Sequence, residues 1–305
     1  MRDKLLRLGT LALVVFFVAA LPACSSSSED DAGVPDSATE DGGGGDVNAN
    51  RVLVFAGEMI VDDELAGASV AIATNPADQF AVAYYKELSE SGLCETPIQG
   101  GDPVPMRMDA IRYSLLDGEA WTTPEEVIQI ETTILPGIDL VFDGDTPLVS
   151  YLGGEEGLQV CGGTDLMIAR PDGAGGWTEM AAVALSNEAP EGDDCPKGQG
   201  MCDFGDVVGL WPSMAVAPNG TIGVAYRDVH NGYTKEADES SDLEWTYAAA
   251  GATSWAHQWV DLGRGSGLFN SLKFTADNMG AVAYYNGKHG MLTFSLQGDE
   301  PLVLG

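Results

Sequence analysis

The stretch Trp211–Leu262 decides the fold, and it opens with the letters WPSMAVAPNGTIGVAYRD. Apolar and polar residues alternate on both sides of Pro218-Asn219-Gly220, which has the composition of a tight turn. This combination is typical of a β-hairpin, in which an Asn-Gly turn joins two antiparallel strands. Two further strands are predicted at Leu243–Ala248 and Trp255–Leu262. The stretch therefore predicts a four-stranded antiparallel meander.

The same unit occurs three more times, beginning at Ala68, Gly137 and Asn270. Helical periodicity is absent after Arg51, and short strands alternate with turns, so the chain is predicted to be all-β. Tandem four-stranded units predict a β-propeller of about four blades over residues 51–305, because a β-sandwich would not repeat one unit four times. The landmark tyrosines of the four copies, which we expect to pack between blades, are Tyr84, Tyr151, Tyr226 and Tyr284.

The residues before the first copy have the pattern of an outer strand, Arg51–Ile60 (RVLVFAGEMI). This strand and the residues that follow it, VDDELAGASV, parallel the segment HQWVDLGRGSGLFNSLKF, which runs from the third copy into the fourth. We therefore expect this N-terminal strand to complete the last blade and close the ring, which removes an exposed sheet edge. The alternatives are five blades, with this strand starting a partial blade, or an incomplete ring.

The N-terminus has the features of a secretory signal peptide, with basic residues before an apolar run from Leu8 to Leu21. Leu21-Pro22-Ala23-Cys24 resembles the lipobox of bacterial lipoproteins. The resemblance implies that residues 1–23 are removed and that Cys24 carries palmitate-type acyl chains, which anchor the protein to a membrane. Ser25 after the cysteine implies the outer membrane. An ordinary cleaved signal peptide, with Cys24 incidental, is the alternative.

Residues 24–50 are rich in Ser, Gly and Asp and contain few large apolar residues. Such a segment cannot bury enough surface to offset its ordering entropy, so we predict a disordered tether. The cysteines that remain are even in number, and two disulfides are expected in an exported chain. Cys195–Cys202 and Cys94–Cys161 are the favoured pairs; the other pairings stay open, and zinc is the alternative.

The formal charge is −33, from 47 acidic and 14 basic residues, which excludes nucleic acid as a partner. Carboxylates in loops such as Asp143-Gly144-Asp145 are of the type that binds calcium, but their spacing is not that of an EF-hand. We therefore predict no metal and no cofactor. Sequence motifs of serine hydrolases, zinc proteases and nucleotide-binding loops are absent.

Three turn sequences, Asp117–Trp121 (DGEAW), Asp172–Trp177 (DGAGGW) and Gly251–Trp255, resemble the turns of Asp-box (sialidase-type) propellers. The resemblance implies that Asp and Gly shape the hairpin between the third and fourth strands, and that the aromatic residue packs beneath it. In that family the Asp-box lies far from the catalytic chemistry, so the resemblance implies no activity.

Tyr226, Arg227, Asp228 and His230 are the candidate ligand contacts. They cluster at the end of a second strand, where the third copy differs from the other copies. We expect a non-enzymatic binding module that takes a protein, peptide or glycan through loops on one face. The alternative is a hydrolase or lyase of extracellular polysaccharide, with Asp228 as general acid or base. The loops in question are Lys86–Arg107, Gly153–Thr164, Asp228–Asp242 and Gly287–His289.

Overall fold

The structure is a computed structural model of the full chain. It describes residues 61–62, 66–94, 103–132, 137–153, 164–180, 207–229, 241–252, 254–262, 265–298 and 302–304. All of them belong to one compact unit, Ala56–Gly305. Within these ranges no helix is long and apolar enough to cross a membrane. The predictions for the signal peptide, Cys24, the tether, Arg51–Ile60, His230 and the two disulfides lie outside the described residues, apart from the backbone of Cys94, and they stay predictions.

The described residues form four antiparallel sheets, and the all-β prediction is confirmed. The first sheet comprises β1 Ala66–Thr74, β2 Phe80–Cys94, β3 Val104–Asp117, β4 Ala120–Trp121 and β5 Glu125–Thr132. The second comprises β6 Ile138–Asp143, β7 Thr146–Gly153, β8 Asp165–Pro171 and β9 Trp177–Glu179. The third comprises β10 Val207–Val216, β11 Ile222–Val229, β12 Ser241–Ala248 and β13 Ala256–Asp261. The fourth comprises β14 Leu268–Phe274, β15 Gly280–Asn286, β16 Met291–Leu296 and β17 Leu302–Leu304.

Each sheet is a meander in which strands pair in chain order, except that β3 of the first sheet pairs with both β4 and β5. This arrangement of several four-stranded antiparallel sheets is consistent with a propeller. One expectation is wrong in detail. The segment Lys86–Arg107 is not a loop throughout, because β2 continues to Cys94 and β3 begins at Val104. The strands continue as a hairpin arm because backbone pairing does not need the apolar alternation that the sequence lacks there.

The first strands of successive sheets, β1, β6, β10 and β14, contact one another in chain order. Side chains on these strands bond to the backbone of the next: Asp139 Oδ2 accepts the N–H of Met214 at 2.6 Å. The side-chain oxygen of Ser213 accepts the N–H of Leu272 at 3.0 Å in the same way. Burial raises the pKa of the Asp139 carboxyl, and the N–H of Met214 opposes that rise. These bonds fasten the second sheet to the third and the third to the fourth.

Three apolar clusters fill the interfaces between successive sheets, and each contains one landmark tyrosine. Tyr151 lies between the first and second sheets, Tyr226 between the second and third, and Tyr284 between the third and fourth. The expectation that the landmark tyrosines pack between blades holds for these three. Tyr84 is also buried, at 3% exposed, but it does not belong to any of the three clusters.

Each landmark tyrosine donates its hydroxyl to a carboxylate. Burial raises the pKa of all four hydroxyls and the carboxylates raise it further, so each hydroxyl stays protonated as a donor. The carboxylate comes from a different element in different sheets. The four pairs are Tyr84–Asp62, Tyr151–Glu179, Tyr226–Glu244 and Tyr284–Asp261.

The turn between β8 and β9 has the form that the Asp-box resemblance implies. Asp172 Oδ1 accepts the N–H groups of Ala174 at 2.7 Å and Gly176 at 2.9 Å. These bonds, that of Gly176 first, lower the pKa of the Asp172 carboxyl. Trp177 follows the turn and packs on Tyr113 of the first sheet, with ring centroids 5.2 Å apart. The turn therefore supports contact between sheets.

Candidate functional site

The candidate residues that the structure describes lie on β11, at the end of the third sheet where β10 begins and β11 ends. We call this end the loop end. Tyr226, Arg227 and Asp228 are consecutive in the strand and at most 1% exposed. Because side chains alternate along a strand, Arg227 lies on the opposite face from the other two. Tyr226 packs towards the second sheet, whereas Arg227 lies against Gly267, beside the fourth sheet.

Three buried carboxylates lie on the Tyr226 face: Asp228, Asp242 and Glu244. Asp242 pairs with Asp228, and Glu244 pairs with Tyr226, across the β11–β12 ladder. One oxygen of each carboxylate lies within 4.8 Å of the others. Tyr226 Oη donates to Glu244 Oε2 at 2.8 Å, and burial followed by the charge of Glu244 raises the pKa of the hydroxyl. We call these three residues the acidic cluster.

The acidic cluster has the ligand type that a divalent cation prefers, but it supplies three residues only. Ca²⁺ takes about six to eight oxygens. The cluster alone is therefore not a calcium site, and the sequence prediction of no metal stays a prediction.

Arg227 is a fully buried cation on the other face of the strand. Its Nη2 donates to the side-chain oxygen of Ser241 at 2.7 Å. Its guanidinium carbon lies 5.5 Å from the centroid of the Trp211 ring, a cation–π distance. A guanidinium stacked in this way fixes the position of the indole beneath it.

Trp211 has an unusual backbone conformation for a bulky residue, with a φ of 48°. Phe269 has the same feature in the fourth sheet, with a φ of 51°. Each residue lies at a register shift in the first strand of its sheet. The shift at Trp211 falls between Leu210 and Ser213, and the shift at Phe269 falls between Leu268 and Ser271. Left-handed backbone costs free energy in residues other than glycine, and such strain occurs most often at functional sites.

The two rings contact each other edge to face, with centroids 5.3 Å apart. Phe269 is 67% exposed, and Trp211 is partly exposed. We call Trp211 and Phe269 the aromatic pair. It lies at the loop end, on the first strands of the third and fourth sheets.

Sequence reasoning missed the aromatic pair. The available signal was a repeated tripeptide, Gly-Leu-Trp at 209–211 and Gly-Leu-Phe at 267–269. Both glycines have a positive φ, so each tripeptide forms the same local bend. An added Cβ at Gly267 would lie 3.1 Å from Arg227 Cβ and from the carbonyl oxygen of Asp242. The glycine therefore lets the fourth sheet approach Arg227.

A separate small pocket lies between the outer parts of the third and fourth sheets. Trp245, Trp259 and Gln297 are among the residues that line it. It contains none of the residues at the loop end described above.

No protein-family model matches the sequence, and no curated protein is significantly similar to it. Solved structures are similar in fold. A Dyadobacter fermentans protein of unknown function aligns over 79% of this chain and 68% of its own, with 13% identity and a TM-score of 0.50. An α-L-arabinanase from Penicillium chrysogenum, solved with arabinobiose, aligns over 77% and 65%, with 11% identity and a TM-score of 0.47. A family 117 glycoside hydrolase from Zobellia galactanivorans aligns over 77% and 68%, with 12% identity and a TM-score of 0.47.

The chain spans 65% to 68% of the length of these three proteins. The similar structures also include an endo-arabinase from Bacteroides thetaiotaomicron. At identities of 11% to 13% the similarity concerns the fold alone.

Proposed function

We propose that this protein binds neutral polysaccharide outside the cell and holds a sugar ring against the aromatic pair at the loop end. The observation that carries the proposal is the exposed, contacting pair Trp211 and Phe269, both in left-handed backbone. A packing role alone would not leave Phe269 67% exposed. Strained backbone persists only where surrounding structure holds it, and here Arg227 stacks on Trp211.

The chemistry of the pair suits a sugar. The C–H groups on one face of a pyranose or furanose ring are apolar and slightly positive, and they stack on the negative face of an aromatic ring. The formal charge of −33 repels polyanions, so a neutral glycan is favoured over an acidic one. The sequence left three classes of ligand open, namely protein, peptide and glycan. The proposal selects the glycan. Most of Gly153–Thr164 and of Asp228–Asp242 lies outside the described residues, and the described parts of the four named loops add no support for a protein partner.

Hydrolysis of that glycan is the second candidate function, and the acidic cluster favours it. Retaining glycosidases use two carboxyl groups about 5–5.5 Å apart, and the cluster brings carboxylates together, with one oxygen of each within 4.8 Å of the others. Glu244, held by the Tyr226 hydroxyl, and Asp228 are the proposed nucleophile and acid/base pair. Both carboxylates are at most 2% exposed, so hydrolysis would require a conformational change that admits the substrate to them.

Two assays on the purified full chain test the proposal. Affinity electrophoresis through neutral polysaccharides, arabinan and xylan among them, should retard the protein, whereas alginate should not. A reducing-sugar assay on the retained polysaccharide then separates the two functions. Release that is lost in Asp228→Asn supports hydrolysis, and retardation without release supports binding alone. Equal mobility in every gel contradicts both functions.

The proposal places the protein at the outer membrane, with residues 1–23 removed and Cys24 acylated. It includes a propeller of four blades and two disulfides among Cys94, Cys161, Cys195 and Cys202. A lipid anchor would hold a glycan-directed domain where polymers arrive from outside. Metabolic labelling with a palmitate analogue should mark the wild-type chain and not Cys24→Ser. Equal labelling of the two chains would contradict the anchor.

A further inference from the structure

Asn270 carries a buried hydrogen-bond acceptor next to the aromatic pair. It follows Phe269 directly on β14 and is 9% exposed. Its Nδ2 donates to the carbonyl oxygen of Gly267 at 3.1 Å, and this bond determines which end of the carboxamide is the nitrogen. Among the described residues no donor lies within hydrogen-bond distance of Asn270 Oδ1, although the atom is enclosed. A buried acceptor without a donor destabilises a fold, so this carboxamide needs an explanation.

The third sheet has a proline at the position equivalent to Asn270. The tripeptides Gly-Leu-Trp and Gly-Leu-Phe align residue by residue, so Pro212 corresponds to Asn270, and both residues are buried. Each follows its aromatic residue inside the register shift of the first strand. Because an apolar side chain fills this position in the third sheet, the local bend does not require a carboxamide. The carboxamide is a feature of the fourth sheet alone among these two bends.

The two bends also differ in what holds them in place. The ring of Pro212 fixes its own φ, and the Arg227 guanidinium stacks on Trp211 beside it. In the fourth sheet no ring fixes the φ of Asn270, and Phe269 is 67% exposed in left-handed backbone. The fourth-sheet bend therefore combines two unfavourable features in adjacent residues, a left-handed phenylalanine and an acceptor without a described donor. A ligand that relieves either feature favours a changed conformation of the bend.

We propose that Asn270 is a specificity-determining residue of the loop-end site. When a glycan binds, the Phe269–Asn270 bend moves, and Asn270 Oδ1 accepts a hydrogen bond from a hydroxyl of the sugar that stacks on Phe269. The movement is needed because Oδ1 is enclosed in this structure. An aromatic ring contacts only the apolar face of a sugar, whereas a hydrogen bond selects sugars that carry a hydroxyl at one position. This role of Asn270 rests on the proposed glycan binding and adds the group that selects among sugars.

Affinity electrophoresis of Asn270→Ala and Asn286→Ala through arabinan, xylan and other neutral polysaccharides tests this role. Asn286 is the matched control, a buried asparagine of the same sheet that is 6% exposed. Its Nδ2 donates to Ser266 Oγ at 3.0 Å, and its Oδ1 accepts the N–H of His289 at 3.1 Å. In the polysaccharide that retards the wild-type chain, Asn270→Ala should bind at least about tenfold more weakly. Asn286→Ala should bind as the wild-type chain does.

Thermal unfolding of the same two variants separates a binding role of Asn270 from a structural one. Asn286→Ala removes two hydrogen bonds of the fold. Asn270→Ala removes one hydrogen bond together with a buried acceptor that has no described donor. Asn286→Ala should therefore have the lower melting temperature of the two variants. A melting temperature of Asn270→Ala that is equal or lower would overturn the proposal, because the carboxamide would then serve the fold.

The electrophoresis distinguishes a failure of this role from a failure of the proposed function. Equal retardation of Asn270→Ala and the wild-type chain would overturn the role of Asn270 and leave glycan binding intact. Equal weakening in Asn270→Ala and Asn286→Ala would also overturn it, because the loss would then come from a general disturbance of the fourth sheet. A wild-type chain that none of the polysaccharides retards would overturn the proposed function and the role of Asn270 together.

Discussion

The guanidinium carbon of Arg227 lies 5.5 Å from the centroid of the Trp211 ring, so a buried cation on β11 holds an aromatic ring on β10. This contact links two features that would each destabilise the fold if they occurred alone. A buried guanidinium needs partners, and Trp211 occupies left-handed backbone. Held together, they keep one ring of the aromatic pair in place at the loop end.

Arg227→Ala should lower the free energy of unfolding by about 3 kcal/mol, because it removes a charged hydrogen bond and the cation–π contact. Urea unfolding measures the loss. Arg170→Ala, at an exposed arginine on the second sheet, is the control and should leave stability unchanged. Similar midpoints for Arg227→Ala and the wild-type chain would mean that the contact does not stabilise the fold.

Gly267→Ala should destabilise the protein by about 3 kcal/mol, through backbone strain and a clash with Arg227 Cβ and the Asp242 carbonyl. Gly144→Ala isolates the strain. Gly144 also has a positive φ, but no atom lies within 4 Å of its added Cβ, so about 1 kcal/mol is expected. Thermal unfolding of both variants separates the effect of backbone strain from the effect of the steric clash. Equal losses would exclude the close approach at Gly267.

We expect the free energy of unfolding to decrease as the pH falls, because His257 takes up a proton more readily in the unfolded chain than in the folded one. Burial lowers the pKa of its imidazole to about 4, whereas an unfolded histidine titrates near 6.5. Between these values the unfolded chain binds a proton that the folded chain does not, so acid favours unfolding. The melting temperature of His257→Gln should therefore fall less between about pH 7 and about pH 4.5. His289→Gln, at an exposed histidine, should behave as the wild-type chain does.

The sequence was sufficient for the hairpins because their signals are local. Pro218-Asn219-Gly220 and Asp172-Gly173 impose turns through residues that tolerate left-handed backbone or bond their own backbone. The alternation of apolar and polar residues between such turns fixes the register of the strands, because a slip of one residue would turn every side chain to the other face. For this reason the strands of the third sheet lie close to their predicted positions.

The loop-end site was only partly predictable. The sequence predicts Arg227 and Asp228 as ligand contacts at the end of a strand, but both are fully buried, because the fourth sheet covers one face and the second sheet the other. Neither Trp211 nor Phe269 is a residue type that signals left-handed backbone. That conformation results from register shifts between strands, which a single strand sequence does not encode.

The most direct test of the proposed function compares Trp211→Ala and Phe269→Ala with Phe80→Ala in their affinity for the polysaccharide that retards the wild-type chain. Phe80 is 48% exposed on the first sheet and is the matched control for an exposed aromatic ring. The expected result is a loss of at least about tenfold, or about 1.4 kcal/mol, for each member of the aromatic pair and none for Phe80→Ala. Equal affinity of all four proteins would contradict the account.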